Sequence, residues 1–183
     1  MSDLIRHIDK SWTLFLDRDG VVNERLVDDY VKMWDEFRFL SGVKESLALF
    51  SRIFGKIIIV TNQQGVGKGL MSEEMLREIH RKMVGEIEKA GGRVDAVYYC
   101  THLKGQADNC RKPSVAMFEQ ARKDFPEIIP EKSIMVGDSA SDMEFGRNAG
   151  MFTVFIGTSY DGAGLTFPDL QSFATYLKNI LNL

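Results

Sequence analysis

The sequence predicts an α/β fold, a doubly wound parallel sheet in a single domain spanning residues 1–183, on three observations. Short apolar runs rich in β-branched residues alternate with helical patterns, the signature of βαβ units. The runs are continuously apolar, as expected of strands buried on both faces. Acidic and polar residues follow the runs directly, and open parallel sheets bind ligands at the carboxyl ends of their strands, near the point where strand order reverses. A length of 183 residues suits one domain with a sizeable core.

The predicted strands are 12–16, 57–60, 96–99, 134–136 and 153–156. A helix is expected at 43–50. A second, at 72–90, is marked by Met75, Leu76, Ile79, Met83 and Ile87 at helical spacing, with Ser72 to cap its start and Gly91-Gly92 to end it. Shorter helices are expected at 115–123 and 142–149, and a terminal one at 171–180 packs on the sheet. The two longest irregular stretches, 21–40 and 102–113, are candidates for function because long loops in compact domains are uncommon.

Composition excludes several classes. A hydrophobic share of 44% with 27% charged residues is that of a globular protein, and a net charge of -3 gives no general attraction to nucleic acid or anionic lipid. No apolar run reaches the roughly 18 residues of a membrane span, and the segment MSDLIRHIDKSW lacks the apolar stretch of a signal peptide. Two cysteines make no disulfide framework, so a reducing cytoplasm is expected. The chain is further expected to be a monomer with no nucleic-acid or membrane partner.

The chemistry sits after the strands. Asp17-Arg18-Asp19-Gly20 follows the first: a carboxylate pair suited to a nucleophile and a neighbouring acid/base. Gly137-Asp138-Ser139-Ala140-Ser141-Asp142 follows the fourth. Either doublet alone also fits a turn and helix cap. Converging, they need a cation between them, and Mg²⁺ suits oxygen ligands and phosphate substrates. Thr61-Asn62-Gln63 after the second strand offers a hydroxyl, amides and backbone N–H groups to phosphate oxygens. Arg111-Lys112-Pro113 follows the third, with Pro113 expected at the first position of a helix and Lys112 placed to neutralise a phosphoryl group.

DRDGVVN, TNQ, the lysine of CRKP and GDSASD, in this order, resemble the four motifs of the haloacid dehalogenase-like phosphatases, over residues 14–156. DRDG with Asn23, TNQ-x-G and CRKP are similar to the branch holding heptose-1,7-bisphosphate 7-phosphatase and histidinol-phosphate phosphatase. The resemblance implies that Asp17 forms an aspartyl-phosphate and that Asp19 acts as acid and then base. Thr61 and the Asn62 backbone hold the phosphoryl oxygens, and Lys112 balances charge. Asp17, the Asp19 carbonyl and Asp138 bind Mg²⁺, with Asp142 behind them. It also implies the absence of a large cap, which agrees with the roughly twenty residues between Gly20 and the first helix. Substrate choice then falls to three short loops, 21–40, 63–70 and 102–111, with Asn62, Gln63, Lys68 and Arg111 as substrate-binding candidates. Lys68 and Arg111 suit a second phosphate, favouring a sugar bisphosphate over histidinol phosphate. The branch often carries a zinc loop before R-K-P. Here Cys100, His102, Asp108 and Cys110 occupy its ligand positions, a candidate structural Zn²⁺ site with Asp108 in place of a cysteine; a loop ordered without metal and, third, a Cys100–Cys110 disulfide are the alternatives.

Gly65-Val66-Gly67-Lys68-Gly69 is not a phosphate-binding P-loop, since position 62 is Asn and no Ser or Thr follows the lysine. His7 and His80 are expected to be structural and Asp28-Asp29 solvated. A receiver-like signalling domain would carry its aspartate after the third strand, not the first. A silent phosphosugar-binding protein would not need every one of these groups.

Overall fold

The computed structural model describes residues 5–183, so the part of the N-terminal segment before Ile5 lies outside the described residues. Six parallel strands form one sheet: β1 (Thr13–Leu16), β2 (Lys56–Asn62), β3 (Ala96–Cys100), β4 (Ser133–Gly137), β5 (Phe152–Ile156) and β6 (Leu165–Phe167). Their order is β3-β2-β1-β4-β5-β6. The chain works outward from β1 in one direction, then returns to β1's other side and works outward again. Strand order therefore reverses between β1 and β4, which pair with Leu16 opposite Val136.

The five main helices are α1 (Val43–Ile53), α2 (Glu73–Lys89), α3 (Ala116–Asp124), α4 (Ala140–Asn148) and α5 (Leu170–Ile180). Alternate residues of each apolar run feed opposite layers. Leu14, Leu16, Ile57, Ile59, Ile134 and Val136 join one core under α1, α2 and α5. Phe15, Ile58, Val60 and Met135 join the other, against Phe118 of α3 and Phe145 of α4. That double demand is why the runs show no polar alternation. The terminal helix packs on α1 as well as on the sheet, with Phe173 and Phe50 ring centroids 5.6 Å apart.

Local signals act as expected in α2: the Ser72 side chain accepts from the Met75 N–H at 3.1 Å, and the Gly92 N–H closes on the Ile87 carbonyl. Met75 itself faces solvent, while His80 is buried in its place among Leu76, Ile79, Met83 and Ile87. Two expectations change. Strand β6 has only three residues, half-exposed and flanked by glycine and proline, too short for a periodic signal. Pro113 does not open α3, which begins at Ala116, and the Lys112–Pro113 peptide is cis. No helix among the described residues is long and apolar enough to cross a membrane.

Candidate active site

The reversal between β1 and β4 opens a crevice, and Asp17 and Asp138 are the first residues beyond each strand. The Asp17 N–H still bonds the Val136 carbonyl at 2.9 Å, so the sheet itself fixes where its side chain emerges. Gly20 turns the chain away with φ +93°, and a Cβ there would lie 2.0 Å from Asp138 Oδ2. Glycine is therefore required both for the turn and for the approach of the two acidic segments.

Lys112 Nζ is buried between carboxylates, 2.8 Å from Asp17 Oδ1 and 2.5 Å from Asp142 Oδ1, and donates to the Val60 carbonyl at 2.8 Å. Its backbone is held by Asn62, whose Oδ1 accepts from the Lys112 N–H at 3.0 Å and whose Nδ2 donates to the Lys112 carbonyl at 3.3 Å. This clamp, rather than a helix start at Pro113, makes the lysine's position reproducible. Asp142 is fully buried, and its Oδ2 accepts from the Ser139 hydroxyl and N–H in a capping box at the start of α4. The helix-cap and charge-site readings of Asp142 are thus both true: one oxygen serves each.

Asp17 Oδ1 also accepts from the Arg18 N–H at 2.8 Å, leaving Oδ2 without a protein donor among the described residues. Asp17, Asp138 and Asp142 each offer a carboxylate oxygen within 4.8 Å of the others. One buried ammonium and the largely exposed Arg25, 3.2 Å from Asp138 Oδ2, do not balance this charge. Burial, then the charge of Asp142, pushes Asp17 up to about 7 against the pull of Lys112. Burial and Asp142 likewise hold Asp138 above the usual carboxylate range, and its Oδ1 is buried with no donor. Burial pushes Lys112 down, but Asp142 and Asp17 outweigh it and hold the ammonium above its ordinary value. A hard divalent ion fits this acceptor-only cluster in charge and chemistry. Asp17 and Asp138 are the residues free to hold it, while Asp142 is committed to Ser139 and Lys112.

Asp19 faces away from Lys112. Its two oxygens accept from Arg18 Nη2 at 2.9 and 3.0 Å, from Asn23 Nδ2 at 2.9 Å and from Gln63 Nε2 at 2.7 Å. Burial raises its pKa, but Arg18, Asn23 and Gln63 outweigh it and leave the carboxyl below its usual range. Gln63, expected to bind substrate, is buried and bridges Asp19 to Thr61 Oγ1 at 2.9 Å. Its neighbour Gln64 reaches the cavity instead.

Asp17, Asp19, Thr61, Asn62, Lys112 and Asp142 line a cavity of about 390 Å³ whose mouth carries Arg25, Tyr30, Lys68 and Arg111. Lys68 Nζ donates to the Tyr30 hydroxyl at 3.0 Å, and the Gln64 amide oxygen accepts from Arg111 Nη1 at 3.2 Å. Asp28 and Asp29, expected to be merely solvated, also line it, with Asp29 paired to Lys32 at 2.7 Å.

The family model described as HAD-hydrolase-like matches residues 109–168. The chain is 38% identical, over 89% of its length and 90% of the relative's, to D-glycero-alpha-D-manno-heptose-1,7-bisphosphate 7-phosphatase of Mycobacterium bovis. The chain belongs to the haloacid dehalogenase-like phosphatases. It is thus an enzyme that hydrolyses phosphate esters. A second member of this phosphatase family, D-glycero-beta-D-manno-heptose-1,7-bisphosphate 7-phosphatase of Vibrio cholerae, is 40% identical over 76% of this chain and 77% of its own. Among solved structures, D,D-heptose 1.7-bisphosphate phosphatase from B. bronchiseptica, complexed with magnesium and phosphate, superposes with a TM-score of 0.82 at 29% identity, covering 92% of this chain and 98% of that one.

The candidate zinc set is not assembled as expected in this phosphatase. Cys100 and Cys110 are joined in a disulfide, the alternative that the sequence reading ranks behind metal ligation. Asp108 is exposed with φ 51° and lies outside the cluster of Cys100, His102 and Cys110. The neighbouring side chain of Asn109 turns inward instead, its Oδ1 accepting from the Arg111 N–H at 2.9 Å. Sequence reasoning missed Arg18, Arg25 and Gln64. Nothing in the sequence separates Arg18 and Arg25 from surface cations, and only the fold shows one fully buried and the other paired with Asp138.

Proposed function

We propose that this phosphatase removes the 7-phosphate of D-glycero-D-manno-heptose 1,7-bisphosphate through a covalent aspartyl-phosphate on Asp17, with Mg²⁺ as cofactor. The observation that carries the reading is the placement of Asp17, with Lys112 on Oδ1 and Oδ2 left free, on the floor of a cavity whose mouth bears a separate set of cations. A bisphosphate needs both: one phosphate at the nucleophile, the other held at the rim by Lys68 and Arg111. The names of the relatives support the sugar and divide between its α and β anomers, so the reading specifies the phosphate removed and not the anomer.

Asp17 Oδ2 attacks phosphorus, and the bond from phosphorus to the sugar oxygen breaks. Asp19, held below its usual range in the free site, takes up a proton as the anionic substrate binds and gives it to the leaving alkoxide. Water then attacks the aspartyl-phosphate and passes a proton to Asp19. The bond from phosphorus to Asp17 breaks, releasing phosphate and restoring the carboxylate. Thr61 and the Asn62 N–H hold phosphoryl oxygens, and Lys112 balances charge on nucleophile and phosphate throughout. Asp17, the Asp19 carbonyl and Asp138 would hold Mg²⁺, which would supply electrostatic shielding between carboxylate and phosphate.

Steady-state phosphate release from heptose 1,7-bisphosphate and from histidinol phosphate, with and without a chelator, tests this. The expected result is magnesium-dependent turnover with kcat/KM at least about tenfold higher for the bisphosphate, a difference of about 1.4 kcal/mol. Equal or reversed preference overturns the substrate; turnover unaffected by chelation overturns the cofactor.

A further inference from the structure

Two buried ionisable groups that the reaction scheme leaves unused, Arg18 and His80, meet each other. Arg18 lies between the two acidic residues of the first motif, yet its side chain is fully buried, an arrangement that arginine accepts only when paired. One terminal nitrogen, Nη2, contacts both oxygens of Asp19. The other, Nη1, lies 3.0 Å from His80 Nε2 on α2, 62 residues away. A guanidinium can only donate, so His80 Nε2 is the acceptor, and the ring is neutral with its proton on Nδ1. His80 is itself 5% exposed, held between the hydrophobic face of α2 and the Tyr99 ring, whose centroid is 5.4 Å away. Burial and the adjacent Arg18 charge push it down to about 3, which keeps it an acceptor across the working range.

We infer that His80 is a positioning residue: it anchors the Arg18 guanidinium, which seats the Asp19 carboxylate in the orientation used for proton transfer. The inference rests on the proposed role of Asp19 as acid and base. The Arg18 guanidinium is a rigid planar fork at the end of a side chain with several rotatable bonds, so its orientation is set by what its two ends contact. Asp19 occupies one end of the fork and His80 the other, so the pair determine a single orientation. Asn23 and Gln63 then hold the carboxylate from the sides, one on each oxygen. Without an acceptor at position 80, Nη1 is left buried and unpaired, the guanidinium turns to find one, and the carboxylate loses its seat.

The test separates positioning from general damage by leaving-group chemistry. An alkoxide departs only when protonated, whereas p-nitrophenolate departs without help, and kcat/KM reports the steps through transfer of phosphate to Asp17. His80→Leu is expected to lower kcat/KM for heptose 1,7-bisphosphate about tenfold and for p-nitrophenyl phosphate less than about twofold. His80→Gln, whose Oε1 restores an acceptor, is expected to return the bisphosphate value to within about threefold of the parent. Equal loss on both esters, or no loss on either, overturns the inference. If the leucine variant does not fold, His80→Asn, polar but too short to reach Arg18, is read for the same selective loss. Asp19→Asn provides the reference. If it too leaves the ratio of the two esters unchanged, the acid role of Asp19 fails; if it alone changes the ratio, only the His80 seat fails.

Discussion

The floor and the mouth of the cavity are built on opposite principles. On the floor, Asp17, Lys112 and Asp142 are buried, and each is held by at least two partners from different elements of the fold. At the mouth, Lys68 rests on Tyr30 and Arg25 reaches Asp138 through single contacts open to solvent. Charges in the low-dielectric floor interact strongly, so their geometry must be over-determined to avoid stranding one of them. Charges at the mouth are screened and adjustable. The chemical step is thus built into the sheet ends, and substrate choice is left to side chains that can change at little cost to the fold.

If that contrast holds, substitutions on the floor should damage chemistry or folding outright, and those at the mouth should alter only preference. The largest effect is expected for Asp17→Asn, a loss of turnover on the order of 10⁴-fold or more, with no acyl-phosphate trapped on rapid quenching. Substantial turnover in that variant would remove the nucleophile from the floor. Lys112→Met leaves Asp17 and Asp142 facing each other without a counter-charge. It should cost about 3–5 kcal/mol in urea unfolding of the metal-free protein, where a surface lysine would cost under about 1 kcal/mol.

The acid sensitivity of the floor's support is the next effect. His80 takes a proton at the ordinary value of 6.5 when unfolded but only near about 3 when folded. Between those values the unfolded chain binds more protons, so stability is lost as pH falls through this window. From pH 7 to pH 5 the loss from this residue should be about 2 kcal/mol. His80→Gln should flatten the pH dependence by that amount, and an unchanged slope in urea titrations at the two pH values would show the imidazole to be solvated. The smallest effect is expected at the mouth. Lys68→Ala should raise KM for the bisphosphate about tenfold while changing kcat and monophosphate hydrolysis less than about twofold. A matching loss on both substrates would place Lys68 with the floor.

The sheet was readable along the chain because strands buried on both faces must be apolar throughout, and the helices because caps and glycines act locally. The acidic doublets were readable because turn geometry puts them at strand ends whatever the rest of the fold does. Lys112 and Asp142 were legible as residues, but not their direct ion pair. Gln63 was misread because its amide looks the same whether it faces substrate or Asp19. The fate of Cys100 and Cys110 turned on loop conformation, which took Asp108 outward and the Asn109 side chain inward.

By itself, then, the order of residues determined the layered α/β architecture and the phosphotransfer groups, since both follow from short-range rules of burial and turning. Only the tertiary structure decided which charges meet. Arg18 and His80 are 62 residues apart and become partners because α2 docks beside the turn that follows β1. Pairing of this kind depends on where helices dock, and docking is set by the summed packing of both cores rather than by any local pattern.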